Sequence, residues 1–466
     1  MQQKFSSFVL LGAILYVVVL LIYANLRGTS TYYLLIGISI VALLVFVLRL
    51  SEILKLKISI SIIAIGLTFF VVEISLATGV LEKHLLNDTM APSVILRSKA
   101  ASKLGQNYDQ RTPVDVILDL REKAIDSYPS INPYMLVKSS TYLNNAKVFP
   151  LGGISNKTIV SCNETGEYLI YQSDEHGFHN PNGIWSEGKI DIAAVGDSLT
   201  HGECVNSNSN AIALIREKYP STLNLAASGS GPLIQLAIIK EYMSVLKPKI
   251  VLWFYCECND LSDLQLETTD LYSQYNKYLN TDYTQELIEH QNTIDTSLSS
   301  WANTHIDNII GEDIHKWDTT LIDMLKLRNS RNLLRNLIGS VNNQNVKHID
   351  NQNLDLFSTI LLDGKNQISN WGGKLYFIYL PTWARYGNPD HTPGINHDIQ
   401  LELIRHYDQI LSITKDLEIS TIDIKREFDS HKDPLSLWPF RLMGHFNPEG
   451  YQIVASKIIE HISNQE

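Results

Sequence analysis

The chain has 466 residues and a net charge of −11, a length that suits two or three units at roughly 150 residues each. The charge is uneven: residues 1–90 carry six Lys/Arg against four Asp/Glu, and the remainder carries 32 against 45. An acidic body without a basic stripe repels nucleic acid and anionic polymers, so nucleic acid is excluded as a partner and neutral or acyl-bearing substrates fit better.

The first 80 residues hold three apolar stretches, Phe8–Leu26, Tyr32–Leu48 and Ile58–Val80. Each has about the length that crosses ~30 Å of hydrocarbon at 1.5 Å per residue. A signal peptide has one apolar core of about 7–15 residues, so three in series predict a transmembrane anchor over 1–80, with membrane lipid as its partner. Glu73 inside the third stretch is expected to face another helix or the interface. Arg49, Lys55 and Lys57 lie between the second and third stretches, whereas only Arg27 lies between the first two. The richer loop belongs in the cytoplasm, and Lys4 agrees; everything after residue 80 is then extracytoplasmic in a multi-pass membrane protein.

Residues 81–188 read as a lead-in segment that packs beside the main domain. It contains a polar helical stretch at 114–125 and short strand-like runs, KTIVSC and EYLIYQ. From 189 to 466 strands alternate with helices. IDIAAV (190–195), TLNLAA (222–227), KIVLWFY (249–255), KLYFIYLP (374–381) and ISTIDI (419–424) read as strands. Helices are expected near 208–218, 232–246 and 397–415, and PEGYQIVASKIIEHI closes the chain as an amphipathic helix. The alternation predicts an α/β fold with a parallel sheet covered on both faces. Residues 261–350 break it; a structureless loop that long is improbable in a compact domain, so a helical insertion is expected, either a lid or a peripheral decoration.

The four cysteines, Cys162, Cys204, Cys256 and Cys258, all fall beyond the anchor, where oxidation is allowed. Four cysteines permit three complete pairings, and spacing does not choose among them. Cys-Glu-Cys at 256–258 is too short for a zinc ribbon, and no metal or other cofactor is implied.

Ser198 stands just past the buried strand 190–195, in GDSLTHG (196–202). A serine at the carboxyl end of a buried strand lies where open α/β sheets bind ligands. The G-x-S-x-G elbow is absent, so another arrangement must serve. GDSLTHG resembles the first block of the SGNH or GDSL hydrolases. NLAASGSG (224–231) offers Gly229 for that family's second block, and CECND (256–260) offers Asn259 for the third. GHFNPEGY (444–451) offers His445 for the last. The four blocks in order, covering about 189–465, imply the flavodoxin-like three-layer SGNH-hydrolase fold with a parallel sheet. They also imply a serine esterase that works through an acyl-serine intermediate.

In that reading Ser198 is the nucleophile and His445 the base, within about 2.6–3.2 Å of one another. The N–H groups of Ser198 and Gly229 and the amide of Asn259 form the oxyanion hole. Two positions depart from the family. Glu257 stands where a glycine is typical, and Leu442 where an aspartate often orients the histidine. Asp433 is the nearest upstream carboxylate and the candidate third member, unless His445 works in a dyad. Asp197 and Asp260 are expected to fix loops, and His201 and His176 are rival bases. The implied partner is an acylated glycan or small ester, above all an O-acetylated extracytoplasmic polysaccharide. The alternatives are an O-acyltransferase on surface polysaccharide and a non-catalytic membrane-tethered glycan-binding or assembly protein.

Overall fold

The computed structural model describes residues 2–26, 31–77, 92–138, 148–186, 188–269, 274–280, 282–315, 327, 349–388 and 397–465. The chain divides into two compact units, residues 1–89 with 309–345 and residues 90–308 with 346–466.

In the first unit, α1 (Gln2–Leu26), α2 (Thr31–Val47) and α3 (Glu52–Ala77) are apolar almost all round. Two of them are long and apolar enough to cross a membrane, through Phe5–Ile22 and Glu52–Ser75. Helix α2 carries only a shorter apolar segment, Leu34–Val47. Its 17 described residues rise about 26 Å, at the short end of what crosses ~30 Å of hydrocarbon. Both α2 and α3 pack on α1. Ser59 Oγ donates to the Ser6 carbonyl at 3.1 Å, and Glu73 is fully buried.

The second unit opens with α4 (Pro92–Lys103) and α5 (Pro113–Glu122). Helix α5 starts where the sequence dictates. Thr112 accepts from the Asp115 N–H, Asp115 reaches back to the Thr112 N–H, and Pro113 fills the first turn, where no N–H is needed. A small sheet follows: β1 (Ser127–Pro129) runs parallel to β2 (Thr158–Val160), which pairs antiparallel with β3 (Ile170–Gln172). Helix α6 (Pro133–Lys138) lies between β1 and β2 in the chain.

The main sheet is built from β4 (Ile192–Val195), β5 (Thr222–Asn224), β6 (Ile250–Cys256), β7 (Lys374–Leu380) and β8 (Ser420–Asp423), all parallel. Between them in the chain lie α7 (Ser198–His201), α8 (Ala211–Lys218), α9 (Pro232–Ile238), α10 (Ser244–Leu246), α11 (Asp260–Glu267), α12 (Gln291–His315), α13 (Asn351–Asn370), α14 (His397–Ile404) and α15 (Tyr407–Asp416). Helices α16 (Ile424–Ser430) and α17 (Pro448–Ser463) follow β8. The helix expected over 397–415 is two helices, α14 and α15. In the stretch 261–350 the described residues hold helices and turns and no strand.

The unbroken apolar run of β6 follows from burial on both faces. Val251, Trp253 and Tyr255 join a core with α9 and α13, while Leu252, Phe254 and Cys256 join a second core with α8, α16 and α17. The spatial order is β5-β4-β6-β7-β8. The first strand therefore sits second in the sheet, the flavodoxin-like order, and the chain reverses direction across the sheet between β4 and β6. Ligands of such sheets bind at the carboxyl ends of the strands flanking that switch point. Ser198 follows β4 there, and Asn259 follows β6.

Candidate active site

Local chemistry makes the serine turn. Asp197 caps α7 by accepting from the Leu199 N–H at 3.1 Å, and the single turn ends at Gly202 (φ 84°), whose N–H donates to the Ser198 carbonyl at 3.1 Å. The second block is tied to the first: Ser230 Oγ donates to the Gly196 carbonyl at 3.0 Å, and the Ala227 N–H to the same oxygen at 3.2 Å. Among the described residues the Gly229 N–H has no partner. Asn259 stands at the N-cap position of α11 with its side chain turned toward a carboxylate, Nδ2 donating to Asp263 Oδ2 at 2.7 Å. An oxyanion role for Asn259 requires its bond to Asp263 to yield.

Ser198 Oγ points its hydrogen bond at Asp197 Oδ2, at 3.5 Å, and no hydrogen bond joins it to His445. The bond expected between them at about 2.6–3.2 Å is therefore not formed in this structure; catalytic bonds of this kind often form only once substrate engages. Asp197, which Ser198 faces, also feels the charge of His445. Burial raises its pKa, and the Asn259 hydrogen bond, the Leu199 N–H and the positive charge of His445 oppose the rise.

His445 is held by a carboxylate, and that carboxylate is not Asp433. Glu164 Oε2 accepts from the His445 backbone N–H at 2.7 Å and lies 3.4 Å from its Nδ1. Asp433 instead pairs with Arg441 at 2.5 Å on the exposed rim, a partner eight residues along the same loop. Leu442 leaves the usual position empty of charge, and an acid from the lead-in segment takes the imidazole. The disulfide Cys162–Cys204 brings it there. Glu164 lies two residues beyond Cys162, and Cys204 Sγ lies 3.5 Å from His445 Nδ1. The second disulfide, Cys256–Cys258, immediately precedes Asn259.

Burial alone would lower the His445 pKa, but the charges of Glu164, Glu203 and Asp197 and the Glu164 hydrogen bond raise it to about 9. Burial pushes Glu164 up, yet His445 and Arg97 hold it below the usual carboxylate range. Glu203 is raised by burial; it accepts from Ser228 and, at 3.3 Å, from Ser161. Arg97, Glu164 and Glu203 were not among the residues singled out from sequence. The two acids had one signal, a cysteine close by in each of Cys162-Asn-Glu164 and Glu203-Cys204; Arg97 had none.

The rival histidines have other partners. His201 Nε2 meets the Tyr171 hydroxyl at 3.1 Å, and burial holds its pKa far below the ordinary value. His176 Nδ1 faces Gln291 Oε1 at 3.4 Å. Asp260 accepts from the Cys256 N–H at 2.9 Å and so fixes the end of β6. Glu257 binds Arg385, with Nε 2.7 Å from Oε2, and accepts from the Thr382 N–H at 3.0 Å; its departure from glycine ties β6 to the end of β7.

No family model matches the chain, and no curated protein matches it. Solved structures do. A lipolytic protein of the G-D-S-L family from Desulfitobacterium hafniense is 12% identical, over 58% of this chain and 99% of that one, with a TM-score of 0.32. The lipase/acylhydrolase from Enterococcus faecalis is 12% identical over 59% and 96%, with a TM-score of 0.31. An acetyl xylan esterase, AlAXEase, is 12% identical over 59% and 100%, also at 0.31. Likenesses this distant carry no weight for the chemistry. The fold is a parallel α/β sheet in the flavodoxin-like strand order, and the blocks that resemble the SGNH hydrolases end its first three strands and open its last helix.

Proposed function

We propose that the chain is a membrane-anchored serine esterase that removes acyl groups, O-acetyl groups above all, from extracytoplasmic glycans or related esters. The observation that carries this reading is a serine at the switch point of the sheet, with a histidine nearby in the charge network whose Nδ1 lies against a largely covered carboxylate, that of Glu164. That contact assigns the Nδ1 proton and leaves Nε2 as the basic nitrogen. Ser198 Oγ attacks the ester carbonyl carbon as His445 takes the hydroxyl proton. The oxyanion develops beside the Gly229 N–H, and collapse expels the alcohol, which receives the proton back from His445. Water repeats the sequence on the acyl-serine and releases the acid. The acidic body supports neutral ester substrates over polyanions.

The purified full chain in detergent, given an aryl acetate and an O-acetylated glycan with and without a free sugar acceptor, tests the reading. Acetate release that is independent of acceptor supports the esterase. Acetyl transfer that requires acceptor replaces it with an acyltransferase, and no turnover of any ester contradicts both. The anchor gives a separate prediction. Alkaline phosphatase fused after residue 90 is expected to be active, since the loop with Arg49, Lys55 and Lys57 faces the cytoplasm. An inactive fusion with a fluorescent cytoplasmic counterpart would reverse the orientation and remove the surface glycan as substrate.

A further inference from the structure

We infer that Arg97, on α4 and far outside the four blocks, is a positioning residue for His445 that acts through Glu164. The inference rests on the esterase reading above. Arg97 Nη2 lies 3.0 Å from Glu164 Oε1 and donates to the Met443 carbonyl at 2.5 Å. One guanidinium therefore grips both the acid that faces the imidazole and the loop that carries the imidazole. Glu164 completes the clamp from the other side, with Oε2 on the His445 N–H and near Nδ1. Gly444 (φ 153°) makes the close approach possible: a Cβ there would overlap the Glu164 carboxylate and come within 2.6 Å of Arg97 Nη2.

Stability alone does not explain the arginine. Its side chain is only 8% exposed, and Nη1 is buried with no hydrogen-bond partner. A buried ion pair recovers little more than its desolvation cost, and an unpaired buried N–H adds to that cost. An apolar side chain of similar length would fill the space more cheaply. What Arg97 supplies is a fixed cation that, after His445, helps hold the largely covered Glu164 ionised, and one directed N–H bond, to the Met443 carbonyl, that fixes where the 443–445 loop sits. The Cys162–Cys204 disulfide restrains the segment bearing Glu164, and Arg97 sets the orientation of its carboxylate.

A double-mutant cycle on the full chain tests this, with Arg97→Met, Glu164→Gln and the pair, read as kcat and KM on an aryl acetate. Arg97→Met is expected to lower kcat by about 10²-fold, the scale of a catalytic group displaced by about 1 Å, with KM nearly unchanged. In the Glu164→Gln background the same change is expected to cost no more than about tenfold, because only the tie to the Met443 carbonyl remains to be lost. Equal costs in both backgrounds, or no cost in the wild-type background, would overturn the inference. Should Arg97→Met not fold, Arg97→Lys keeps the charge but not the fork: a partial fall in kcat is expected, and full activity overturns the inference. Loss of the esterase reading itself shows separately, as wild-type activity that survives Ser198→Ala.

Discussion

Ser198→Ala is expected to lower ester cleavage by about 10⁴–10⁶-fold, the range seen when a hydrolase loses its nucleophile but keeps its oxyanion donors. Stability should hardly change, because the hydroxyl makes only a 3.5 Å bond to Asp197 and caps nothing. Melting temperature and kcat measured on the same preparation separate the two effects. A fall in kcat of less than about tenfold would mean that another group attacks the ester. An equal fall in melting temperature and activity would make Ser198 a structural residue of the α7 turn.

Glu164→Gln is expected to cost up to about 10⁴-fold in kcat and to move the pH profile toward acid. The sign follows from the base. Attack requires neutral His445, whose pKa is held near 9, so wild-type kcat/KM should climb with pH and level off only near that value. Removing the Glu164 charge removes the largest influence that holds the proton on, so the rising limb moves to lower pH while the imidazole loses its orientation. The same shift governs stability. His445 with its raised pKa contributes stability fully below its ordinary value of 6.5, and that contribution is lost as pH passes about 9. Asp433→Asn should leave both the rate and the profile within about twofold, because an exposed ion pair with Arg441 is worth little. A rate loss and limb shift on Asp433→Asn, with none on Glu164→Gln, would restore Asp433 as the orienting acid.

The sheet was legible because burial on both faces forces unbroken apolar strands such as KIVLWFY, and the helices between them carry a one-sided pattern. Strand order was not a local property. It came only with the resemblance of the four blocks, and the structure sets β5-β4-β6-β7-β8. The break at 405–406 was missed because α14 and α15 share one helical periodicity.

In the site, Ser198, Gly229, Asn259 and His445 stand beside strand ends and turns that have sequence signatures. Glu164 does not. It lies 281 positions before His445 and is brought there by a disulfide whose partner could not be chosen from spacing. Proximity in sequence favoured Asp433, but the loop from 433 to 441 closes on itself through Arg441. Long-range covalent and ionic ties of this kind leave no periodicity to read.

Covalent capture addresses the central claim most directly. The wild-type chain, incubated with a fluorophosphonate at a pH near 9 and digested, is expected to carry one phosphonyl group, on the peptide containing Ser198. Labelling should slow as pH falls and His445 becomes protonated, and it should vanish in Ser198→Ala. A label on another residue, or none on a folded wild-type chain at any pH, would contradict the assignment of Ser198 as the activated nucleophile.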